Sequence, residues 1–122
     1  MNQVTEMSLM EVFNYRDVEA RKAEEGAEKL KVRWLITKDT GAENFVMRLF
    51  EMEPGGFSPL HSHPWEHEVF ILKGQGLVTG GREEKMFKEG DVIFIPPNET
   101  HQLKNTSEKT VKFLCLIPYK RE

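Results

Sequence analysis

Short apolar segments separated by turn residues run through this sequence and limit the folds that it can adopt. Between Leu30 and Ile36, apolar residues recur at every second position, which is the pattern of a half-buried strand. Further strand-sized segments follow, and turn-forming residues separate them roughly every eight to twelve positions. No long helical pattern accompanies them. The chain is therefore predicted to fold as an all-β sandwich or barrel.

The predicted strands after the first one cover residues 45–53, 66–72, 77–79, 83–87, 92–95, 101–104 and 110–117. The turn at 54–56 is expected to end the second strand, and Pro96 is expected to end the 92–95 strand because proline cannot donate to a ladder. Residues 1–29 show no clear pattern and are predicted to form an N-terminal arm. This leaves 30–118 as a barrel domain and 119–122 as a C-terminal tail.

Length, charge and hydropathy narrow the classes of function. A chain of 122 residues fits one domain, and its net charge of −3 without a basic cluster argues against a nucleic-acid partner. The apolar runs are too short to cross a membrane, and the N-terminus lacks the features of a secretory signal, so a cytoplasmic location is expected. The single cysteine, Cys115, has apolar neighbours and is expected to be a buried thiol that packs as a small hydrophobe.

The four histidines form the clearest chemical pattern in the chain. His61, His63 and His67 lie within seven positions, and His101 follows Pro96 and Pro97. A strand directs alternate residues to one face, so His61 and His63 can converge on one ion, and His67 has the same parity. His101 must then come from a neighbouring strand of a closed barrel. Imidazole is the commonest protein ligand of transition metals, so we expect these four residues to bind a metal ion.

These residues also match the two motifs of the cupins, which this chain therefore resembles over about residues 30–118. In the first motif, five residues separate Gly55 from His61, three separate His63 from His67, and six separate His67 from Gly74. The second motif is matched at four positions, which are Gly90, Pro96, His101 and Asn105. The resemblance implies a jelly-roll barrel, also called a double-stranded β-helix.

Two positions depart from the cupin motifs. Asn98 replaces a glycine, which is a mild change because both residues accept left-handed backbone geometry. His67 replaces the glutamate ligand, and this change is larger. Glu68 also satisfies the looser spacing of the first motif, but its parity is opposite to that of His61 and His63. His67 is the preferred fourth ligand.

The resemblance implies a divalent ion, either manganese, iron, nickel, copper or zinc. Four histidines leave two positions open in an octahedral site, whereas a tetrahedral arrangement would be a closed structural zinc site. The open site indicates a metal-dependent oxidoreductase, dioxygenase-like, that acts on a small chelating organic substrate in the barrel pocket. The alternative is a non-catalytic cupin that binds or senses a sugar or an organic acid.

Four residues near the predicted ligands are further candidates. Glu66 and Glu68 could accept the second N–H of a ligating imidazole, or could be solvated surface charges, and Trp65 also flanks the ligands. Arg48 interrupts an apolar strand and could bind a substrate carboxylate, or could form a salt bridge at the rim or at a subunit interface. No residue is assigned a catalytic role. A homodimer is expected, formed through the Phe70 and Leu72 face together with the N-terminal arm.

Overall fold

The computed structural model of the chain describes residues 8–119 and confirms the all-β prediction. The first seven residues of the predicted arm, and residues 120–122 of the predicted tail, lie outside the described residues. Nine strands form within 8–119: β1 (Arg21–Lys22), β2 (Glu28–Ile36), β3 (Phe45–Phe57), β4 (His67–Lys73), β5 (Gln75–Gly80), β6 (Glu83–Lys88), β7 (Val92–Ile95), β8 (His101–Lys104) and β9 (Val111–Pro118). Short 3-10 helices lie at Tyr15–Asp17 and Lys38–Thr40.

The strands form one curled antiparallel sheet in the order β6-β5-β8-β3-β9-β4-β7, with β2 paired to β3 and β1 to β2. This arrangement is the predicted jelly roll. β8 lies between β5 and β3, and β9 lies between β3 and β4, so strands distant in the sequence become neighbours. The start of β8 is thereby brought beside the loop that follows β3.

The inner faces of the strands form the core. Along β9 every second residue is buried, and on β3 Phe50 and Met52 are buried on the same side of the sheet. The rings of Phe50 and Phe113 stack with their centroids 5.1 Å apart. The alternation in the sequence therefore fills one face of the curled sheet, as a half-buried strand pattern requires.

β3 is longer than predicted, because residues 54–56 do not end it. The strand continues to Phe57, which pairs with Glu28 of β2 and Lys104 of β8. Gly55 adopts a φ of 81°, a left-handed conformation that glycine accepts without strain, and a register shift on β2 accommodates the extra residues. The turn residues thus bend the strand and direct the chain over β8.

His61 and His63 do not lie on a regular strand, which corrects the geometry expected for them. Residues 58–66 form a loop that contains Pro59 and Pro64, neither of which can donate a ladder hydrogen bond. An isolated bridge joins this loop to β8, where the His61 amide donates to the His101 carbonyl at 3.2 Å and the His101 amide donates back at 2.9 Å. His61 is therefore held by β8, and the carbonyl of His63 accepts from the Asn98 amide at 2.7 Å, in the turn before β8.

The second motif contributes a structural residue at the turn between β8 and β9. Asn105 is buried, and its side-chain amide donates to the carbonyls of Met52 at 2.9 Å and Lys109 at 2.8 Å. The side-chain oxygen of Asn105, Oδ1, accepts a hydrogen bond from the backbone amide of Ser107. Asn105 therefore ties the turn to β3 and satisfies buried backbone groups that would otherwise have no partner.

Residues 15–18 of the predicted N-terminal arm pack against the outside of the sheet. Arg33 of β2 donates to the Val18 carbonyl at 2.6 Å, and Lys112 of β9 donates to the Tyr15 hydroxyl at 3.1 Å. Leu9, Met10, Val12 and Phe13 are exposed. The division into an arm over 1–29 and a barrel over 30–118 stays a prediction.

Candidate metal centre

The structure brings all four histidine rings together inside the barrel. His61 and His63 come from the 58–66 loop, His67 begins β4, and His101 begins β8. Ring centroids are 4.4 Å apart for His63 and His67, 4.8 Å for His61 and His101, and 5.1 Å for His67 and His101. His67 and His101 are buried, and the other two are half-buried. The cluster is therefore open on the loop side.

The ring nitrogens lie close enough to share one ion. Ligand atoms of His61, His63 and His101 all lie within 4.8 Å of one another. His67 lies outside that group of three, but its Nε2 atom is 2.6 Å from the Nε2 atom of His63.

The other nitrogen of each ring has a neighbour outside the cluster. Nδ1 of His63 donates to the Trp65 carbonyl at 3.0 Å, and Nδ1 of His101 donates to the Glu99 carbonyl at 2.9 Å. A third contact joins Nδ1 of His67 to the Cys115 sulfur at 3.0 Å, and a fourth places Nδ1 of His61 4.0 Å from a carboxylate oxygen of Glu24. A carbonyl can only accept, so His63 and His101 carry their proton on Nδ1 and present a lone pair on Nε2.

This hydrogen bonding fits a divalent transition ion. Metal-ligating imidazoles generally donate their second N–H to a partner that fixes the ring, as two of these rings do to backbone carbonyls. With its proton on Nδ1, His63 presents an Nε2 lone pair to the Nε2 atom of His67. Two such lone pairs repel at 2.6 Å unless a proton or a cation lies between them. The residues present therefore suit a cation held by His61, His63, His67 and His101, and this ligand set stays a prediction.

Burial favours the neutral form of His61, His63 and His67, and the neutral imidazole is the form that binds metal. Desolvation is the largest cause that lowers the pKa of His61 and His63, and it lowers the pKa of His67 to about 3. The neighbouring imidazoles and the charge of Arg48 act in the same direction.

We expect the metal-free protein to lose stability as the pH falls below about 6.5, the usual pKa of histidine in an unfolded chain. Below that pH the histidines of the unfolded chain become protonated, whereas His67 in the folded chain stays neutral until the pH approaches its pKa of about 3. Proton binding therefore favours the unfolded state over this range. Urea unfolding at pH 7.5, 6 and 5 measures the effect. A His67→Gln variant should show a smaller loss, and a stability difference between the two proteins that is constant over this range would contradict the account.

The structure separates the two candidates for the fourth ligand. His67 faces the other imidazoles, whereas Glu68 is exposed on the opposite face of β4, where it pairs with Phe94 of β7 and Leu116 of β9. The difference follows from the alternation of side chains along a strand.

Trp65 and Glu66, which were also predicted to flank the ligands, differ in their contact with the cluster. Trp65 stacks on His63 with the ring centroids 4.4 Å apart and the planes 6° from parallel. Glu66 is half-buried at the end of the 58–66 loop. The partners observed for the ring nitrogens are backbone carbonyls, the Cys115 thiol and Glu24, and not the predicted Glu66 and Glu68.

Arg48 lies inside the barrel, which corrects the alternative of a rim salt bridge. Its side chain is buried on the inner face of β3, and Nη2 donates to the Cys115 sulfur at 3.3 Å. The guanidinium lies over the rings of Trp34 and Phe50, at 5.3 and 4.9 Å from their centroids. Cys115 is buried as predicted, and it also bridges Arg48 to His67, a contact that the sequence alone did not indicate.

A main cavity and a smaller inner cavity each border several of the histidines. The main cavity has a volume of about 1180 Å³ and is lined in part by Trp34, Arg48, His61, His63 and His67. The inner cavity, of about 40 Å³, lies among Arg48, Cys115, the imidazoles of His61, His67 and His101, and apolar core residues. Glu24 lines both cavities, and sequence reasoning missed it because the arm gave no pattern that could orient it. Among residues 8–119, no helix is long and apolar enough to span a membrane.

Comparison with known proteins identifies relatives of several kinds. The chain is 31% identical over 96 residues to an oxalate-binding protein of Thermotoga maritima, an alignment that covers 75% of this chain and 78% of that protein. It is 36% identical over 76 residues to a 1-methylthio-D-xylulose 5-phosphate methylsulfurylase of Rhodospirillum rubrum, covering 62% of this chain. The alignment spans about half of that enzyme, 49% of its length.

A solved structure gives a longer match. The polyketide cyclase RemF from Streptomyces resistomycificus superposes with a TM-score of 0.84 at 35% identity, covering 92% of this chain and 81% of that one. The cupin-domain family model matches residues 48–117, which include all four histidines, Arg48 and Cys115. This match and the oxalate-binding relative show that the chain belongs to the cupin family.

Proposed function

We propose that this cupin is a metal-dependent enzyme whose substrate is a small organic molecule that chelates the ion, and that its reaction is dioxygenase-like. The observation that carries the proposal is the cluster of four imidazoles, with two Nε2 atoms 2.6 Å apart, beside a cavity of about 1180 Å³. A divalent ion supplies Lewis acidity there and, when it is iron or manganese, a redox couple. Four neutral donors leave the full charge of the ion uncompensated.

The chain itself positions the donors and shapes the cavity. The backbone carbonyls of Trp65 and Glu99 fix the orientation of two imidazoles, and the stacked Trp65 ring restricts the movement of His63. The main cavity reaches the cluster from the loop side, so a small molecule can approach the imidazoles without opening the barrel. These features support an accessible metal site in place of a closed structural zinc site.

Oxygen uptake tests the proposal. Protein loaded with iron or manganese should consume dioxygen in the presence of a chelating enol, catechol or keto acid, in proportion to the substrate lost. A His63→Ala variant should lose this uptake. Absence of uptake across such a panel would exclude the dioxygenase reaction, and anaerobic consumption by zinc-loaded protein would instead assign a non-oxidative reaction, which the likeness to a polyketide cyclase favours.

A non-catalytic binding function is the second candidate, and the relative named as an oxalate-binding protein favours it. Calorimetric titration with oxalate and with simple sugars would then show tight binding that is the same with and without dioxygen, and no product would form. The expected ligand is in either case a small molecule in the barrel, and a net charge of −3 argues against nucleic acid. A cytoplasmic location stays a prediction.

An exposed apolar surface favours the formation of a homodimer. This surface, the outer apolar face, consists of Phe70 and Leu72 of β4 and Val92 and Phe94 of β7. These side chains are 43%, 39%, 73% and 57% exposed, and in the ladder Phe70 pairs with Val92. A contiguous exposed apolar patch of this kind marks an interaction surface. A second copy of the chain would cover it by an isologous contact, in which each subunit uses the same face.

A charge placed on the outer apolar face should therefore dissociate the dimer. Light scattering with size-exclusion chromatography should report a dimer for the native protein at micromolar concentration and a monomer for Phe94→Lys. Met86→Lys is the matched control, because Met86 is 84% exposed on β6, outside this face. A native protein that is monomeric at micromolar concentration would exclude the dimer.

A further inference from the structure

Arg48 carries a buried charge that has no counter-ion within residues 8–119. The side chain is 7% exposed, no carboxylate forms an ion pair with it in the described part of the chain, and its Nε atom is buried without a hydrogen-bond partner. Its neighbours are the Cys115 sulfur and two aromatic rings. An unpaired buried cation is costly, and an anion bound beside it would remove much of that cost.

The guanidinium and the histidine cluster border the same space. Arg48 donates to the sulfur of Cys115 at 3.3 Å, and that sulfur lies 3.0 Å from Nδ1 of His67. The inner cavity of about 40 Å³ is lined by Arg48 and by His61, His67 and His101. About 10–15 Å³ of space measured in this way holds one water, so the inner cavity accepts a group as small as a carboxylate.

The charges around this space favour an anion. The Arg48 guanidinium is positive, and a bound divalent ion would add further positive charge. The Glu24 carboxylate, 4.0 Å from His61, is 57% exposed, so solvent screens it. A neutral chelator would leave the Arg48 charge unpaired, whereas a carboxylate would pair with it through the planar fork that arginine presents.

We propose that Arg48 forms an anion subsite next to the histidine cluster, so that the substrate class is an organic acid whose carboxylate pairs with the guanidinium. This inference rests on the proposed function, because it names the substrate class of that same site. It also makes a prediction for the metal-free protein, because Arg48 is the one Arg or Lys side chain among residues 8–119 that lines the inner cavity.

Calorimetric titration of metal-free protein with oxalate at pH 7.5 tests the subsite. We expect measurable binding that is lowered about 10- to 100-fold in Arg48→Met, the range that corresponds to losing a charge-assisted hydrogen bond. Arg48→Lys keeps the charge without the planar fork and should bind with intermediate affinity. Lys38→Met is the matched control, because exposed Lys38 lines the main cavity but not the inner one, and it should change the affinity by less than about twofold.

A second comparison keeps the test decisive if Arg48→Met does not fold. Metal-free native protein should bind oxalate at least about tenfold more tightly than oxamide, its neutral diamide. Equal binding of the two probes, no binding of oxalate, or native affinity in a folded Arg48→Met protein would each overturn the subsite. If oxalate binding depends on Arg48 but no metal-loaded protein turns over a substrate, the subsite stands and the proposed enzyme activity fails.

Discussion

His101→Ala is expected to lower the affinity for a divalent transition ion by more than about 100-fold. Loss of a residue that only supports a metal ligand already costs 10- to 100-fold, so loss of a ligand should cost more. His101 is 3% exposed and is the one imidazole of the four that β8 supplies. Without it, the remaining donors would surround an ion incompletely.

Titration with cobalt(II), followed by its visible absorption, measures this loss. Thr100→Ala is the matched control, because Thr100 is the exposed neighbour of His101 and offers no ring nitrogen. The control should bind cobalt like the native protein. Native affinity in a folded His101→Ala protein would place His101 outside the coordination sphere.

Gly76→Ala is expected to destabilise the fold by about 3 kcal/mol or more, the upper range for forcing atoms into a packed interior. A Cβ atom at Gly76 would lie 2.2 Å from the backbone oxygen of Lys104 and 2.8 Å from the Phe87 ring. Lys104 belongs to β8, the ladder partner of β5, so the backbone cannot move away without breaking the pairing that holds the start of β8.

Gly80→Ala on the same strand is the control. There a Cβ atom would lie 2.7 Å from the end of the Glu99 side chain, which can rotate away. Thermal and urea unfolding should show a large loss for Gly76→Ala and a small loss for Gly80→Ala. Equal stability of the two variants would contradict the close packing of β5 against β8.

Much of the fold was predictable because short strands and turn residues alternate regularly. β7 and β8 have the predicted bounds, because Pro96 ends one strand and the next begins after a short turn. β3 was harder to predict, since a proline and two glycines normally end a strand. Here a left-handed Gly55 and a register shift keep the ladder intact, and these depend on pairing with β2.

The four histidines of the candidate metal centre could be predicted from the sequence, but the partners of their rings could not. Spacing singled out all four imidazoles, and the parity argument separated His67 from Glu68. The partners of the rings depend on contacts between distant parts of the chain. Glu24 comes from the arm, and Cys115 reaches both Arg48 and His67 only because β9 lies between β3 and β4. No local pattern encodes such contacts.

The most direct test of the four-histidine metal site is the metal content of the purified protein. Elemental mass spectrometry on protein prepared without affinity tags or chelators should find one divalent transition ion per chain. The content should be unchanged in Glu68→Ala and clearly lower in His67→Ala, because His67 faces the cluster and Glu68 faces away from it. A native protein without metal, or a His67→Ala protein with the native content, would contradict the account.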